Sequence, residues 1–232
     1  MFSMIILDMT YMLYIFLPTL LLAMLAQAWV KMAYASANRQ PAPLSGAAAA
    51  RRILDSAGLN NVDIEMTPGH LSDHYDPRDR VVRLSPEVYE GRTLAAVGIA
   101  AHEVGHAIQH ATSYAPLVIR NMAVPTASFG SSTAIWLIIA GIIFQQLHFL
   151  LLIGIILFSA VVFFQLVNLP VEFNASSRAK EQLAVLGIVN EPSQQRYVRN
   201  VLSAAAMTYV AATITAVLQL MYFIMIYLRN RD

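Results

Sequence analysis

The chain has 232 residues, 57% of them hydrophobic and only 12% charged, and its 15 Lys+Arg against 14 Asp+Glu leave a net charge of +1. Soluble domains run at roughly 45–50% apolar and about 25% charged residues, so these values exclude a disordered chain and argue against an ordinary soluble globule. No basic run gives a nucleic-acid footprint, and the absence of Cys excludes disulfide scaffolds, thiolate metal sites and Cys nucleophiles.

From the N-terminus, the 22 residues between Asp8 and Lys31 carry no Asp, Glu, Lys or Arg. A membrane-spanning helix needs about 20 mostly apolar residues, and no Lys or Arg precedes this stretch as a cleaved signal would require. It reads as a retained helix. Residues 36–46 form a linker, with Ser45 as cap of a helix over 47–57 that stops at Gly58. Residues 62–66 alternate like a strand, Pro68-Gly69 signals a turn, and residues 80–84 alternate again. Ser85 and Pro86 open a helical turn as cap and first helical residue. A longer helix runs from Thr93 to about Ala111. The 51 charge-free residues between Arg120 and Glu172 hold two helices joined at Gln145-Gln146-Leu147-His148, and the 29 between Arg199 and Arg229 hold one more. Four spans are expected, near 9–30, 123–144, 149–169 and 203–228.

Of the 29 charges, 18 fall in residues 31–120 and 7 in residues 172–199. Lys31, Arg39, Arg51, Arg52 and Arg120 flank the membrane in the first loop, and Arg178, Lys180, Arg196 and Arg199 in the second. Lys and Arg gather on the cytoplasmic side, so both loops are expected in the cytoplasm, weakly opposed by Arg229 and Arg231.

The chemistry lies in His102-Glu103-Val104-Gly105-His106. On a helix, positions i and i+4 lie about 40° apart around the axis and about 6 Å along it, so both imidazoles can share one ion. Two imidazoles suit Zn²⁺, and Glu103 on the flank of that face can take a proton from water, as in the His-Glu-x-x-His helix of metalloproteases. Gly105 costs about 1 kcal/mol inside a helix, which makes sense if another backbone approaches there. The bland alternative is a helix with two solvent-facing histidines. The apolar run 93–101 argues against it, because unliganded polar groups on a buried helix are costly.

A catalytic zinc takes three protein ligands. His110 lies about 12 Å along the axis from His102 and cannot reach the same ion. His148 sits in the turn between two spans. His70 and His74 remain open. Glu172 is the strongest candidate, a lone carboxylate ending the 51-residue charge-free stretch on the same membrane face as His106. An interfacial or helix-capping glutamate is the alternative reading of it.

Four segments together carry a resemblance: 71–78 (Leu-Ser-Asp-His-Tyr-Asp-Pro-Arg), 81–85, 100–110 around the motif, and 168–176 (Asn-Leu-Pro-Val-Glu-Phe-Asn-Ala-Ser). In order and spacing they closely resemble the YugP-like membrane zinc metallopeptidases of bacteria, relatives of the HtpX-like membrane proteases. The resemblance implies a gluzincin-type site with one Zn²⁺, in which a later helix reading Glu-x-x-Ala-Asp supplies the third ligand. Glu172 and Ala175 match that pattern, and Ser176 stands where the Asp would be. It also implies that the strand at 81–84 is the sheet edge beside the cleft, where a peptide could add by main-chain hydrogen bonds. Asp73, His74, Tyr75 and Asp76 would lead into it as a turn or as support for the site.

The expected fold is a mainly α membrane protein: four transmembrane helices and a small α+β zincin-like metallopeptidase domain, built from two loops on one side of the membrane. The expected segments are 1–30 (helix), 31–120 (metallopeptidase domain), 121–170 (helical hairpin), 171–200 (cytoplasmic helical segment with Glu172) and 201–232 (helix). The expected function is a zinc endopeptidase at the cell membrane, with His102, His106 and Glu172 on the metal and Glu103 as base. Its partners would be membrane lipid and protein or peptide substrates, with no nucleic acid. A non-enzymatic zinc-binding scaffold is the alternative. An intramembrane protease of the site-2 type would need a Leu-Asp-Gly motif, which the sequence lacks.

Overall fold

The computed structural model describes residues 9–229, so Arg231 and the outer ends of the first and last expected segments lie outside the described residues. In chain order the elements are α1 (Met9–Tyr11), a π-helical turn, α2 (Leu17–Asn38), α3 (Gly46–Ser56), β1 (Asp63–Met66), β2 (His74–Asp76), β3 (Val81–Leu84), α4 (Pro86–Tyr89), α5 (Leu94–Ala111), α6 (Ala115–Ile143), α7 (His148–Val185) and α8 (Pro192–Arg229). The chain divides into two compact units.

The first unit holds residues 9–25, Ile119–Leu169 and 208–229. Its core is large and apolar: Ile138, Leu151, Ile155, Phe158, Tyr222, Phe223 and Ile226. Its outward faces are apolar too, with Leu21 57%, Trp136 72% and Ile156 61% exposed. Within it, Tyr11 Oη donates to Gln219 Oε1 at 2.8 Å.

Among the described residues, three helices are long and apolar enough to cross a membrane: Met9–Asn38, His148–Val185 and Pro192–Arg229. The expected second span is a bent pair, Ala115–Ser128 and Gly130–Ile143, inclined by 42°. Pro125 lies inside it, where it removes a helical N–H and crowds the preceding turn. It makes a fourth span only if the pair counts as one. The polar cluster at 145–148 does form the connection, as a short 3-10 turn at Gln145–Leu147. The expected helical segment 171–200 is spread over two helices. It comprises the end of α7, a turn with Gly187 at φ +66°, and the start of α8.

The second unit holds Ala26–Val118 and Pro170–Met207, so residues of both polar loops share one core. Ile53, Leu54, Val82, Leu84, Val97, Val104, Leu183 and Val198 pack together there. Helix α3 begins as expected, with Ser45 Oγ accepting from the Ala48 N–H at 3.2 Å. Beyond its end Gly58 takes φ +72°. Helix α5 begins with Thr93 Oγ1 accepting from the Ala96 N–H at 3.2 Å. Leu94, Val97, Ala100, Ala101, Val104 and Ala107 are each at most 1% exposed, so packing on all sides holds this helix, not one amphipathic stripe.

The sheet corrects one expectation. Its order is β1-β3-β2, with β1 parallel and β2 antiparallel to β3. Val81–Leu84 is therefore the central strand, paired on both sides, and His74–Asp76 is an edge. Three polar residues alternate too briefly to read as a strand from sequence. Ser85 also departs from expectation: its side chain does not cap α4 but donates to Asp73 at 3.1 Å. Asp73 accepts from the Ser85 N–H as well, at 2.8 Å.

Candidate metal centre

His102 and His106 sit one helical turn apart on α5, and Glu172 projects from α7. What lets the two helices meet is Gly105. A Cβ there would lie 2.6 Å from the carbonyl oxygen of Ala175, so only glycine allows this backbone approach. The glycine within the motif and the alanine three residues after Glu172 are two sides of one contact.

The result is a cluster in which one ligand atom from each of His102, His106 and Glu172 lies within 4.8 Å of the others. Glu172 Oε2 is 3.3 Å from His102 Nε2 and 3.8 Å from His106 Nε2. A tetrahedral zinc with bonds of about 2.0–2.1 Å has ligand atoms about 3.3 Å apart. The donor set, two imidazoles and one carboxylate, fits that ion in chemistry and in spacing.

The outer ring nitrogens are held too. His102 Nδ1 lies 3.1 Å from Ser176 Oγ, and His106 Nδ1 lies 3.0 Å from Gln109 Oε1. Gln109 is fully buried and its amide nitrogen donates to Val171 O at 2.8 Å and Asn174 Oδ1 at 3.1 Å. With its amide N–H groups committed there, its oxygen can only accept. His106 therefore carries its proton on Nδ1 and turns the Nε2 lone pair toward Glu172. Such outer partners fix ring orientation and tautomer at metal sites. Asn174 Oδ1 also accepts from Arg178 Nε at 2.8 Å, so the chain runs from His106 through Gln109 and Asn174 to Arg178.

Glu103 is 9% exposed. Burial, reinforced by the negative charges of Glu172 and Asp73 and opposed by His102 and His74, pushes its pKa up to about 7. Burial also pushes His102 toward neutrality, but the hydrogen bond to Glu172 and the charges of Glu103 and Glu172 outweigh it and raise its pKa. A carboxyl group poised near neutrality is suited to exchanging protons.

The other histidines fall elsewhere. Exposed His70 pairs with Glu87 at 2.7 Å. His74 Nδ1 is 2.8 Å from Ser72 O, and its imidazole stays outside the cluster, although its charge reaches Glu103. His110 Nδ1 meets Tyr75 Oη at 2.9 Å. His148 stacks on Tyr227. Gln109 is a functional side chain that the sequence motif does not include. Its one available signal was spacing, three residues after His106 and on the same face of a nearly all-apolar helix. Ser176, at the position where the expected Glu-x-x-Ala-Asp pattern has its Asp, contacts His102.

The family model described as "Putative neutral zinc metallopeptidase" matches residues 11–228. The chain is also 51% identical over 188 residues to a protein of Bacillus subtilis (strain 168) named "Putative membrane protease YugP", a match covering 81% of this chain and 83% of the relative. No solved structure matches the chain.

Proposed function

This chain belongs to that zinc metallopeptidase family, and from that premise we propose that it is a membrane-embedded, zinc-dependent endopeptidase. His102, His106 and Glu172 hold the metal, and Glu103 is the general base. The observation that carries the reading is the convergence of those three ligand atoms within 4.8 Å, beside a buried carboxyl group poised near neutrality. Zinc, when bound, acts as a Lewis acid toward the scissile carbonyl and makes a neighbouring water more acidic. Glu103 takes the proton of the attacking water and returns it to the departing amine. Ser176 and Gln109 keep the two imidazoles turned inward.

On this reading the three long apolar helices and the bent pair Ala115–Ile143 span the cell membrane four times. The Lys and Arg of both loops then put the second unit in the cytoplasm. A site on that side acts on membrane or membrane-proximal proteins. The relative's printed name, "Putative membrane protease YugP", supports the membrane setting alone.

The test is Glu103→Gln in purified, detergent-solubilised protein, with metal content and peptidase turnover measured on the same sample. Removing a general base costs roughly 10²- to 10⁴-fold in turnover, with zinc content unchanged. Zinc bound by wild type with no turnover on any peptide or membrane-protein substrate would favour the non-enzymatic scaffold instead.

A further inference from the structure

We propose that a cleft between α2 and α8 in the second unit binds the anionic phosphodiester headgroup of a membrane lipid. The cleft has a volume of about 610 Å³ and is lined by Trp29, Arg196, Tyr197, Arg199, Asn200 and Ser203, among others. That size lies within the ordinary range of ligand pockets, about 300–1,000 Å³. Arg196 and Arg199 are three residues apart on α8 and share one face. Both are exposed, and neither makes an ion pair among the described residues. Lys180 stands beside Arg199, lining with it a neighbouring cavity of about 50 Å³. The carboxylate tied to the rim is Glu191, which accepts from Ser193 Oγ at 3.3 Å; it leaves both guanidinium groups available. Guanidinium groups bind phosphate through paired, charge-assisted hydrogen bonds.

The rest of the lining says where that phosphate comes from. Trp29 and Tyr197 are amphipathic aromatics of the kind that gather at membrane–water boundaries. Trp29 is fixed by its indole N–H, which donates to Asn200 Oδ1 at 2.9 Å. On α2 the charge-free stretch ends at Val30, next to Trp29, and on α8 the other begins at Asn200. Both walls therefore lie where the charge-free part of each helix gives way to its charged part. On the spanning reading proposed above, on which this site rests, that is headgroup level. A basic pocket at that level on the cytoplasmic side suits an anionic headgroup.

The full chain carries two tryptophans, so Trp136→Phe leaves Trp29 as the sole reporter. The protein is reconstituted into phosphatidylcholine vesicles with a minority of phosphatidylglycerol, with one lipid or the other brominated. Brominated phosphatidylglycerol should quench Trp29 up to roughly 30-fold more per mole than brominated phosphatidylcholine, given two surface guanidinium groups at about 1 kcal/mol each. Arg196→Gln with Arg199→Gln should abolish the preference, and Lys31→Gln, outside the cleft lining, should leave it. Equal quenching by the two lipids, or an equal loss with Lys31→Gln, overturns the site. Collapse of the preference on adding inorganic phosphate would assign the cleft to free phosphate instead. Trp136, 72% exposed on α6, reports separately in the Trp29→Phe protein. If neither lipid quenches it, the spanning reading falls and the headgroup site with it. If both quench it while Trp29 shows no preference, the site alone falls.

Discussion

The two units differ in where most of their buried hydroxyl and amide groups find partners, although Tyr11 bridges to Gln219 in the first and Thr112 bonds its own helix in the second. In the first, Thr19 donates to Ile15 O, Ser159 to Ile155 O, Thr213 to Tyr209 O and Thr215 to Ala211 O, each at 2.7–2.8 Å and each four residues back on its own helix. In the second, polar side chains reach across elements: Gln109 to Val171, Ser176 to His102, Asp73 to Ser85, Tyr75 to His110. A hydroxyl that bonds its own helix needs no partner and can face an apolar surround. A network between helices fixes their separation and the aim of every ring in it. The first unit is thus built to be tolerant of what surrounds it, and the second to hold a geometry.

The largest effect should come from breaking the contact on which that geometry depends. Gly105→Val puts side-chain atoms where even a Cβ would sit 2.6 Å from Ala175 O. Overpacking of this kind costs roughly 1–3 kcal/mol or more, and here it also pushes Glu172 away from the two histidines. Zinc content should fall sharply. Gly98→Ala on the same helix is the control. Its Cβ would meet only Val198 side-chain atoms at 3.4 Å or beyond, and alanine gains up to about 1 kcal/mol in a helix. If both variants retain zinc equally, close helix approach is not what assembles the site.

How much of this was legible beforehand follows from how local each feature is. His102, Glu103 and His106 are a statement about one helical turn, and sequence spacing carries it whole. Glu172 joins them from α7, with 65 residues between it and His106, and no periodicity encodes that contact. Its only local mark was the end of a charge-free run, which made it the strongest candidate but left a helix-capping glutamate as an equal reading until the resemblance favoured it. Gln109 left no such mark. The edge strand His74–Asp76 is three residues long and exists because β3 pairs with it, so tertiary contact decided it. The long apolar helices were readable from charge spacing alone, but not that α7 and α8 continue past the apolar stretches to Val185 and from Pro192.

A paired substitution sharpens the comparison at the surface. Ile156 and Val185 are both exposed on α7, at 61% and 74%. If the first unit faces lipid, Ile156→Lys should cost about 2.5–3.5 kcal/mol in insertion or stability. Val185→Lys should fall within about 0.5 kcal/mol of wild type, as surface changes in water do. Similar costs at both positions, read from thermal denaturation in bilayer discs, would erase the distinction between the units.

The second unit's burial of charge should also show in its dependence on pH. Glu103 titrates at about 7 in the fold, against an ordinary 4.5. A carboxyl group raised in this way favours the folded state when protonated. Its contribution is fully present below about pH 4.5 and is lost as pH rises through 7. His102, also raised, acts in the same direction above its ordinary 6.5. Chelator-treated protein should therefore melt at lower temperature at pH 8 than at pH 5, with Glu103 contributing at most about 3 kcal/mol. Glu103→Gln should flatten most of that slope. An unchanged slope would mean that Glu103 is not buried as the structure has it.

The smallest effect expected is at Ser176, and it discriminates best between a positioned ring and a merely nearby one. Its hydroxyl oxygen, 3.1 Å from His102 Nδ1, is a neutral partner where a carboxylate would be a charged one. Losing an outer partner of a metal-bound histidine costs roughly 10- to 100-fold in metal affinity. A hydroxyl polarises the ring less than a carboxylate would, so Ser176→Ala should lie near tenfold, measured by competition with a zinc chelator. Ser176→Asp should tighten binding, because a carboxylate facing Nδ1–H raises the basicity of Nε2. It should also raise the affinity more at pH 7 than at pH 5, where the new carboxyl group is more often protonated. If alanine and aspartate both leave affinity unchanged, His102 takes its orientation from the packing of α5 alone, and the second unit's cross-element hydrogen bonds brace the helices without aiming the ring.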